Sequence, residues 1–261
     1  MAKVARPREP KRRRKLLRAE KPYRERGIRL LAGVDEAGVG PLAGPVVAAA
    51  VIMPVSSKIT QAYDSKGLPP AFRLELAERI RGEAVAWSVG IARPREIDRL
   101  NIYWAALAAM RRAVERLVPA PELVLVDART IPRLVVTQEA HVGGDARFYQ
   151  IACASILAKT VRDAIMERLD RRFPGYGFAR HKGYPTPEHR DAIRELGPCA
   201  AHRRSFRWLP EDPDQEVLDL WGDAAVDADP GRGTRAEASG DAAAGPAPLR
   251  PASADQNPMM L

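Results

Sequence analysis

Four acidic residues stand where a chain displays side chains rather than burying them. Asp35 and Glu36 follow the apolar run Ile28 to Val34, Asp127 ends Leu123-Val124-Leu125-Val126, and Asp145 follows Gly143-Gly144. Carboxylates at strand ends, though far apart in sequence, can converge on one sheet edge, where they repel one another unless a cation sits between them. An all-oxygen donor set suits Mg2+ or Mn2+ better than zinc. Two such ions about 4 Å apart can activate a water and stabilise the leaving oxygen in phosphodiester hydrolysis. Each acid also has a plainer role open to it, because a strand-end aspartate is commonly a turn former or a helix cap. Neighbouring strand residues point to opposite faces, so Asp35 and Glu36 share a site only if the chain turns at once, which Gly38 and Gly40 permit. Spacing alone does not decide between these readings.

The elements that must hold these acids follow from the apolar pattern. Ile28 to Val34, Pro45 to Met53 and Ala84 to Ile91 read as strands. Glu122 to Asp127 reads as a strand buried on both faces, and Leu134 to Gln138 as a short one. Helices are expected over Ile102 to Leu117 with Asn101 as N-cap, over Gln150 to Leu169, and over Pro187 to Leu196 with Thr186 as N-cap. Strands first, then strand and helix in alternation, imply a layered α/β domain over about residues 28–210.

The flanks differ in composition. Residues 1–28 carry 12 Lys or Arg against 3 Asp or Glu, and residues 212–261 carry 3 against 10, which leaves the middle moderately basic and suited to a polyanionic partner. Lys11-Arg12-Arg13-Arg14-Lys15 is expected to make residues 1–27 a solvated basic arm, with attraction to phosphates as its use. The Ala-, Gly-, Pro- and Asp-rich residues 211–261 are expected to be a disordered tail. The longest apolar run, Pro45 to Val55, falls far short of the roughly 20 residues of a membrane span. The basic N-terminus lacks a secretory h-region, and Cys153 and Cys199 form neither a metal spacing nor a disulfide framework, so a reducing, cytoplasmic setting is expected.

A longer pattern runs through the same residues. Gly33-Val34-Asp35-Glu36-Ala37-Gly38-Val39-Gly40-Pro41-Leu42-Ala43-Gly44-Pro45 resembles the opening signature of bacterial ribonuclease HII. In the same order come Asp64-Ser65-Lys66, Glu96-Ile97-Asp98 with Asn101-Ile102, Val126-Asp127 and Gly144-Asp145. Ala154-Ser155-Ile156-Leu157-Ala158-Lys159 with Arg162-Asp163, His181-Lys182-Gly183-Tyr184 with His189, and His202-Arg203-Arg204-Ser205-Phe206 complete the likeness over about residues 28–208. The resemblance implies a ribonuclease H-like fold, with a mixed five-stranded sheet flanked by helices and a helical C-terminal part. It implies hydrolysis of the RNA strand of RNA–DNA hybrids, and cleavage 5′ of single ribonucleotides in duplex DNA to leave 3′-hydroxyl and 5′-phosphate ends. It makes Asp35, Glu36, Asp127 and Asp145 the catalytic, metal-binding carboxylates for Mn2+ or Mg2+. It makes Gly38, Val39 and Gly40 the loop that senses the ribonucleotide, Ser65, Lys66, Ser155 and Lys159 phosphate contacts, and Tyr184 the ring that packs on the sugar. Ser155 and Lys159 are four apart, so a helix puts them on one face. His202 reads as structural and His181 as a backbone or phosphate contact. The partners implied are the hybrid and the ribonucleotide-bearing duplex, bound by a monomer without a membrane.

Three positions depart from the family pattern. Val39 stands where the family usually has arginine, which removes a bidentate phosphate donor while keeping the backbone groups. Ala128 replaces a usual glycine, and Pro185 follows Tyr184. Two rivals remain at this stage: a hybrid-binding protein without efficient catalysis, and a general hybrid nuclease with poor single-ribonucleotide selectivity. The family branch with an N-terminal substrate-binding domain is not matched, since the extension here is too short and too charged.

Overall fold

Strand β2 (Val46–Ile52) is buried along its whole length, and its small side chains explain how. Ala48 and Ala50 face one apolar cluster, while Ala49 and Val51 face another, the period-two alternation of a central strand. In the computed structural model, which describes residues 10–62 and 67–209 and side chains from Arg14 onward, β2 pairs antiparallel with β1 (Leu31–Ala37) and β3 (Ala86–Ala92). On its other side β1 runs parallel to β4 (Leu123–Asp127), which runs parallel to β5 (Gln138–His141). The sheet order is β3-β2-β1-β4-β5, the mixed five-stranded sheet expected.

Helices cover both faces. The cluster under β2's Ala48 side takes in Ala105, Ala109, Met110 and Ala113 of α3 (Pro94–Glu115). The opposite cluster joins α2 (Pro70–Glu83) through Leu76 and Ile80 to α4 (Tyr149–Arg172) through Ala152, Ile156 and Leu157. A smaller cluster of Ala43, Met166, Tyr176, Phe178 and Ala192 seats α5 (Phe178–His181) and α6 (Pro187–Leu196), the helical C-terminal part. Thr186 caps α6 as expected, its hydroxyl accepting from His189 N at 3.2 Å.

Several boundaries differ from the sequence reading. β1 begins three residues later than expected and continues through Ala37, because Asp35, Glu36 and Ala37 keep their pairing with Ala49, Ala48 and Val47. Asn101 does cap a helix, its Oδ1 accepting from Trp104 N at 3.1 Å, but helix also precedes it from Pro94, and the chain breaks at Asn101 with φ 60°. The strand expected over Leu134 to Gln138 forms instead at Gln138–His141. The Gln138 carboxamide bonds both Ile131 N and Ile131 O at 2.7 Å, closing the preceding residues into a loop that leaves Val135 in solvent. Helix α2 had no counterpart in the sequence reading.

The arm expected to be unstructured over residues 1–27 is helical from Pro10 to Glu25, as α1. Leu16, Glu20 and Tyr23 recur at helical spacing and are buried. Leu16 joins the buried cluster that includes Ile156, and Tyr23 stands edge-on to Phe148 and donates to Glu139 at 2.5 Å. Glu20 accepts from Gln150 N at 2.9 Å, at the first turn of α4, where a carboxylate complements the helix dipole. Residues 1–9, Asp64, Ser65, Lys66 and the expected tail lie outside the described residues.

Burial pushes the Glu20 carboxyl up to about 7. Its folded value therefore lies above the unfolded one, so the native state binds more protons between about pH 4.5 and 7, and stability falls as pH rises through that window. Glu20→Gln keeps an oxygen for Gln150 N and does not titrate. Relative to the parent it is expected to gain about 2 kcal/mol between pH 5 and pH 8, read by urea unfolding at both values. A pH-independent difference would show that Glu20 is not held up by burial.

Candidate active site

β1 and β4 are parallel neighbours with Val34 opposite Val126, so Asp35 and Asp127 emerge side by side at the same sheet edge. Glu36 follows on β1, and the chain turns at once at Gly38, where φ is +97°. Asp145 comes from the short 3-10 turn Gly144–Ala146 that leads into α4. Asp127 Oδ1 accepts from Gly144 N at 2.7 Å, which ties that turn to the end of β4. All four acids line one cleft of about 220 Å³, with Gly38, Val39, Gly40, Ser155, Lys159 and Tyr184.

The cleft is electrostatically unbalanced. Asp35 is 6% exposed, and its carboxyl is held well above the usual carboxylate range by burial, then by Glu36 and Asp127. Glu36 is raised as well, by burial and then by Asp127. The Ser155 hydroxyl and the Glu36 amide, the latter at 2.7 Å from Oδ1, hydrogen-bond the Asp35 carboxylate and only partly offset this. As the side chains stand, no three acid, imidazole or thiol groups among the described residues are arranged to hold a metal ion. The donor set nevertheless fits a hard divalent cation: the ligands are oxygens, and clustered buried carboxylates lose their mutual repulsion when a cation neutralises them.

Ser155 and Lys159 share the cleft-facing side of α4 as expected, and each has a partner within the protein. Ser155 bonds Asp35, and Lys159 Nζ meets Asp163 Oδ1 at 2.7 Å. Burial lowers the Lys159 pKa, and Asp163, also bound by Arg73 at 2.7 Å, works against that shift. Ser65 and Lys66 lie outside the described residues, so their phosphate role is untouched by the geometry.

Tyr184 stays in the cleft despite Pro185, with its ring edge beside Gly40 and two-fifths of its surface exposed. The backbone behind it rests on three histidines. His202 Nδ1 accepts from Cys199 N at 3.0 Å, which assigns its proton to Nε2, 3.1 Å from His189 Nε2. His189 then presents its Nδ1 proton to Tyr184 O at 2.8 Å. His181 accepts from Gly183 N at 3.1 Å and donates to Tyr176 O at 2.6 Å, stacking on His189 with 4.3 Å between centroids. Burial, its largest cause, depresses both His189 and His202 to about 4, so the pair is neutral at neutral pH. The reading of His202 as structural agrees with this network, and of the two roles open to His181, backbone or phosphate contact, the network shows the backbone one.

Ala128 has φ 61°, a left-handed conformation, as Arg129 N folds back onto Asp127 O at 2.7 Å. A glycine avoids the Cβ clash there, so Ala128→Gly is expected to raise stability by roughly 1 kcal/mol in thermal unfolding. A loss of stability would mean that the alanine makes compensating contacts.

Sequence reasoning gave no role to Arg162 or Arg203. Both are fully buried against the glycine loop, Arg162 also bordering the cleft, and both sit inside matched motifs, which was the available signal.

Residues 32–208 match the family model described as Ribonuclease HII. The chain is 55% identical over 213 residues to a ribonuclease HII of Myxococcus xanthus, covering 81% of this chain and 71% of that one. It is 53% identical over 188 residues to one of Moorella thermoacetica, covering 72% and 91%. Among solved structures, the ribonuclease HII in the PCNA:RNase HII complex from Archaeoglobus fulgidus aligns at 27% identity with a TM-score of 0.59, over 71% of this chain and 98% of that one. The matched stretch starts inside β1, ends beyond Arg203 and takes in every residue lining the cleft, so the chain belongs to the ribonuclease HII family.

Proposed function

We propose that the chain is an endoribonuclease that hydrolyses the RNA strand of RNA–DNA hybrids and cuts 5′ of single ribonucleotides embedded in duplex DNA, leaving 3′-hydroxyl and 5′-phosphate ends. The observation that carries this reading is the meeting, in one cleft, of the Asp35, Glu36 and Asp127 carboxylates with a glycine loop and an exposed tyrosine. Asp35, Glu36, Asp127 and Asp145 would hold divalent Mg2+ or Mn2+, which when bound supplies an activated water and charge stabilisation at the leaving 3′-oxygen. Gly38 and Gly40 let the backbone approach the sugar closely, Tyr184 packs against the neighbouring sugar, and Lys159 and Ser155 face the phosphate. Family membership supports each of these assignments, as does the shared cleft.

The test uses two substrates with Mg2+ or Mn2+: a DNA duplex carrying one ribonucleotide, and a long RNA–DNA hybrid. Cutting of the first on the 5′ side of the ribonucleotide is expected. No cutting of either would leave a binding protein, and cutting of the long hybrid alone would leave a general hybrid nuclease.

Val39 lies half-buried and, like Leu100, Ile102 and Phe206, packs against the α3-facing core. Val39→Arg restores a phosphate donor at the rim and is expected to lower KM on the single-ribonucleotide duplex roughly tenfold, at a cost of about 1 kcal/mol in stability from lost packing. Unchanged KM and junction preference would show that position 39 acts through its backbone alone.

A further inference from the structure

The loop from Gly38 to Pro45 turns five carbonyls onto two buried guanidiniums. Arg203 donates from Nη2 to Gly38 O at 2.6 Å, from Nη1 to Val39 O at 2.9 Å and from Nε to Gly44 O at 3.0 Å. Arg162 donates from Nε to Pro45 O at 3.1 Å and from Nη2 to Ala43 O at 3.3 Å. A sixth carbonyl, that of Leu42, accepts from Arg203 N at 2.9 Å. Neither guanidinium forms an ion pair among the described residues, although both are 0% exposed. Burial, then the charge of Arg162, brings Arg203 down to about 9.

Burying two like charges side by side is unfavourable, and apolar residues of similar volume commonly fold as well. What guanidiniums add is a rigid fork that fixes where carbonyls point. With its carbonyls held inward, the loop leaves the amides of Gly38, Val39 and Gly40 without a hydrogen-bond partner among the described residues, on the segment that borders the cleft. Successive unpaired amides form a concavity suited to oxygen-rich ligands. The fit is tight from the loop side too, since a Cβ on Gly38 would lie 2.0 Å from Arg162 Nε.

We propose that Arg203 and Arg162 are positioning residues: by holding the loop carbonyls inward they present the Gly38, Val39 and Gly40 amides to the nucleic acid, so that selectivity for the single ribonucleotide depends on them. This rests on the nuclease reading above, so the parent protein is assayed first on both substrates. A parent that cuts neither overturns both readings, whereas a parent that cuts, with variants that keep its selectivity, overturns this one alone.

Arg203→Lys and Arg162→Lys keep the charge but replace the fork with a single donor centre. Each is expected to reduce kcat/KM on the single-ribonucleotide duplex about tenfold or more, chiefly through KM, while the long hybrid changes by less than about threefold. Mn2+ affinity, measured by calorimetry on the folded variants, is expected to stay at the parent value. A merely structural role predicts parallel losses on both substrates that track the fall in Tm, and that result in the variants that fold overturns the proposal. Should Arg203→Lys fail to fold, Arg162→Lys decides by the same ratio.

Discussion

Asp35→Asn and Asp127→Asn are each expected to lower cleavage of both substrates by on the order of a thousandfold while leaving the protein at least as stable as the parent in the absence of divalent cations. The loss follows from the scale of the electrostatic help a metal site gives, several kcal/mol of barrier at tenfold per about 1.4 kcal/mol. The retained stability follows from the local charges. Burial and the charges of Glu36 and Asp127 all oppose ionisation of Asp35, so replacing one carboxylate by a neutral amide relieves repulsion. Asparagine also preserves the structural bonds: Asp127 Oδ1 accepts from Gly144 N and Asp35 Oδ1 from Glu36 N, and an amide oxygen can accept in both places. Thermal unfolding with and without Mn2+ separates the two effects. The parent is expected to gain stability when the cation is added, and each variant to gain much less. Activity surviving either substitution would remove the carboxylate site from the mechanism.

The acidic half of the cleft was legible because its residues are carried by short, local patterns. An apolar run ending in Asp35-Glu36, another ending in Asp127, and a glycine pair before Asp145 each announce a strand end or turn. Two independent strand ends became one site through the parallel β1–β4 register, which no local pattern encodes. The Ser155–Lys159 spacing correctly gave a shared helix face, yet it could not show that Ser155 bonds Asp35 or that Lys159 pairs with Asp163. The supporting half was hidden for a different reason. Arginine is read as a surface residue by default, so apart from the motif around it nothing marks a guanidinium that satisfies carbonyls from within the core, as Arg203 does. Helix α1 was obscured by its five consecutive basic residues, because the inward stripe of Leu16, Glu20 and Tyr23 is short and includes an acid. Local charge was a poor guide wherever burial is granted by partners distant in sequence.

Gly33→Ala is expected to lower stability by about 3 kcal/mol, a fall in Tm near 10 °C for a chain of this size, and to impair cleavage although Gly33 is not a cleft residue. A Cβ at this position would lie 2.2 Å from the carbonyl carbon of Gln150 and 2.3 Å from the amide nitrogen of Ile151. Both are backbone atoms in the first turn of α4, so no side-chain rotation can make room. Helix or strand must move, and both carry the site: Asp35 lies two residues beyond Gly33 on β1, and Ser155, which bonds it, lies one helical turn beyond Ile151 on α4. The displacement is also opposed by the Gln150 carboxamide, which bonds Met53 N at 2.7 Å and Met53 O at 3.1 Å beyond the end of β2. Gly82→Ala provides the contrast, because nothing lies within 4 Å of its Cβ and alanine favours the α2 helix by roughly 0.5–1 kcal/mol. If Gly33→Ala unfolds and cuts like the parent, the close approach of α4 to β1 does not set the position of the carboxylates. A drop in Tm together with a loss of kcat on both substrates, against a slight gain in Tm for Gly82→Ala, would tie the geometry of the acidic cluster to this one glycine.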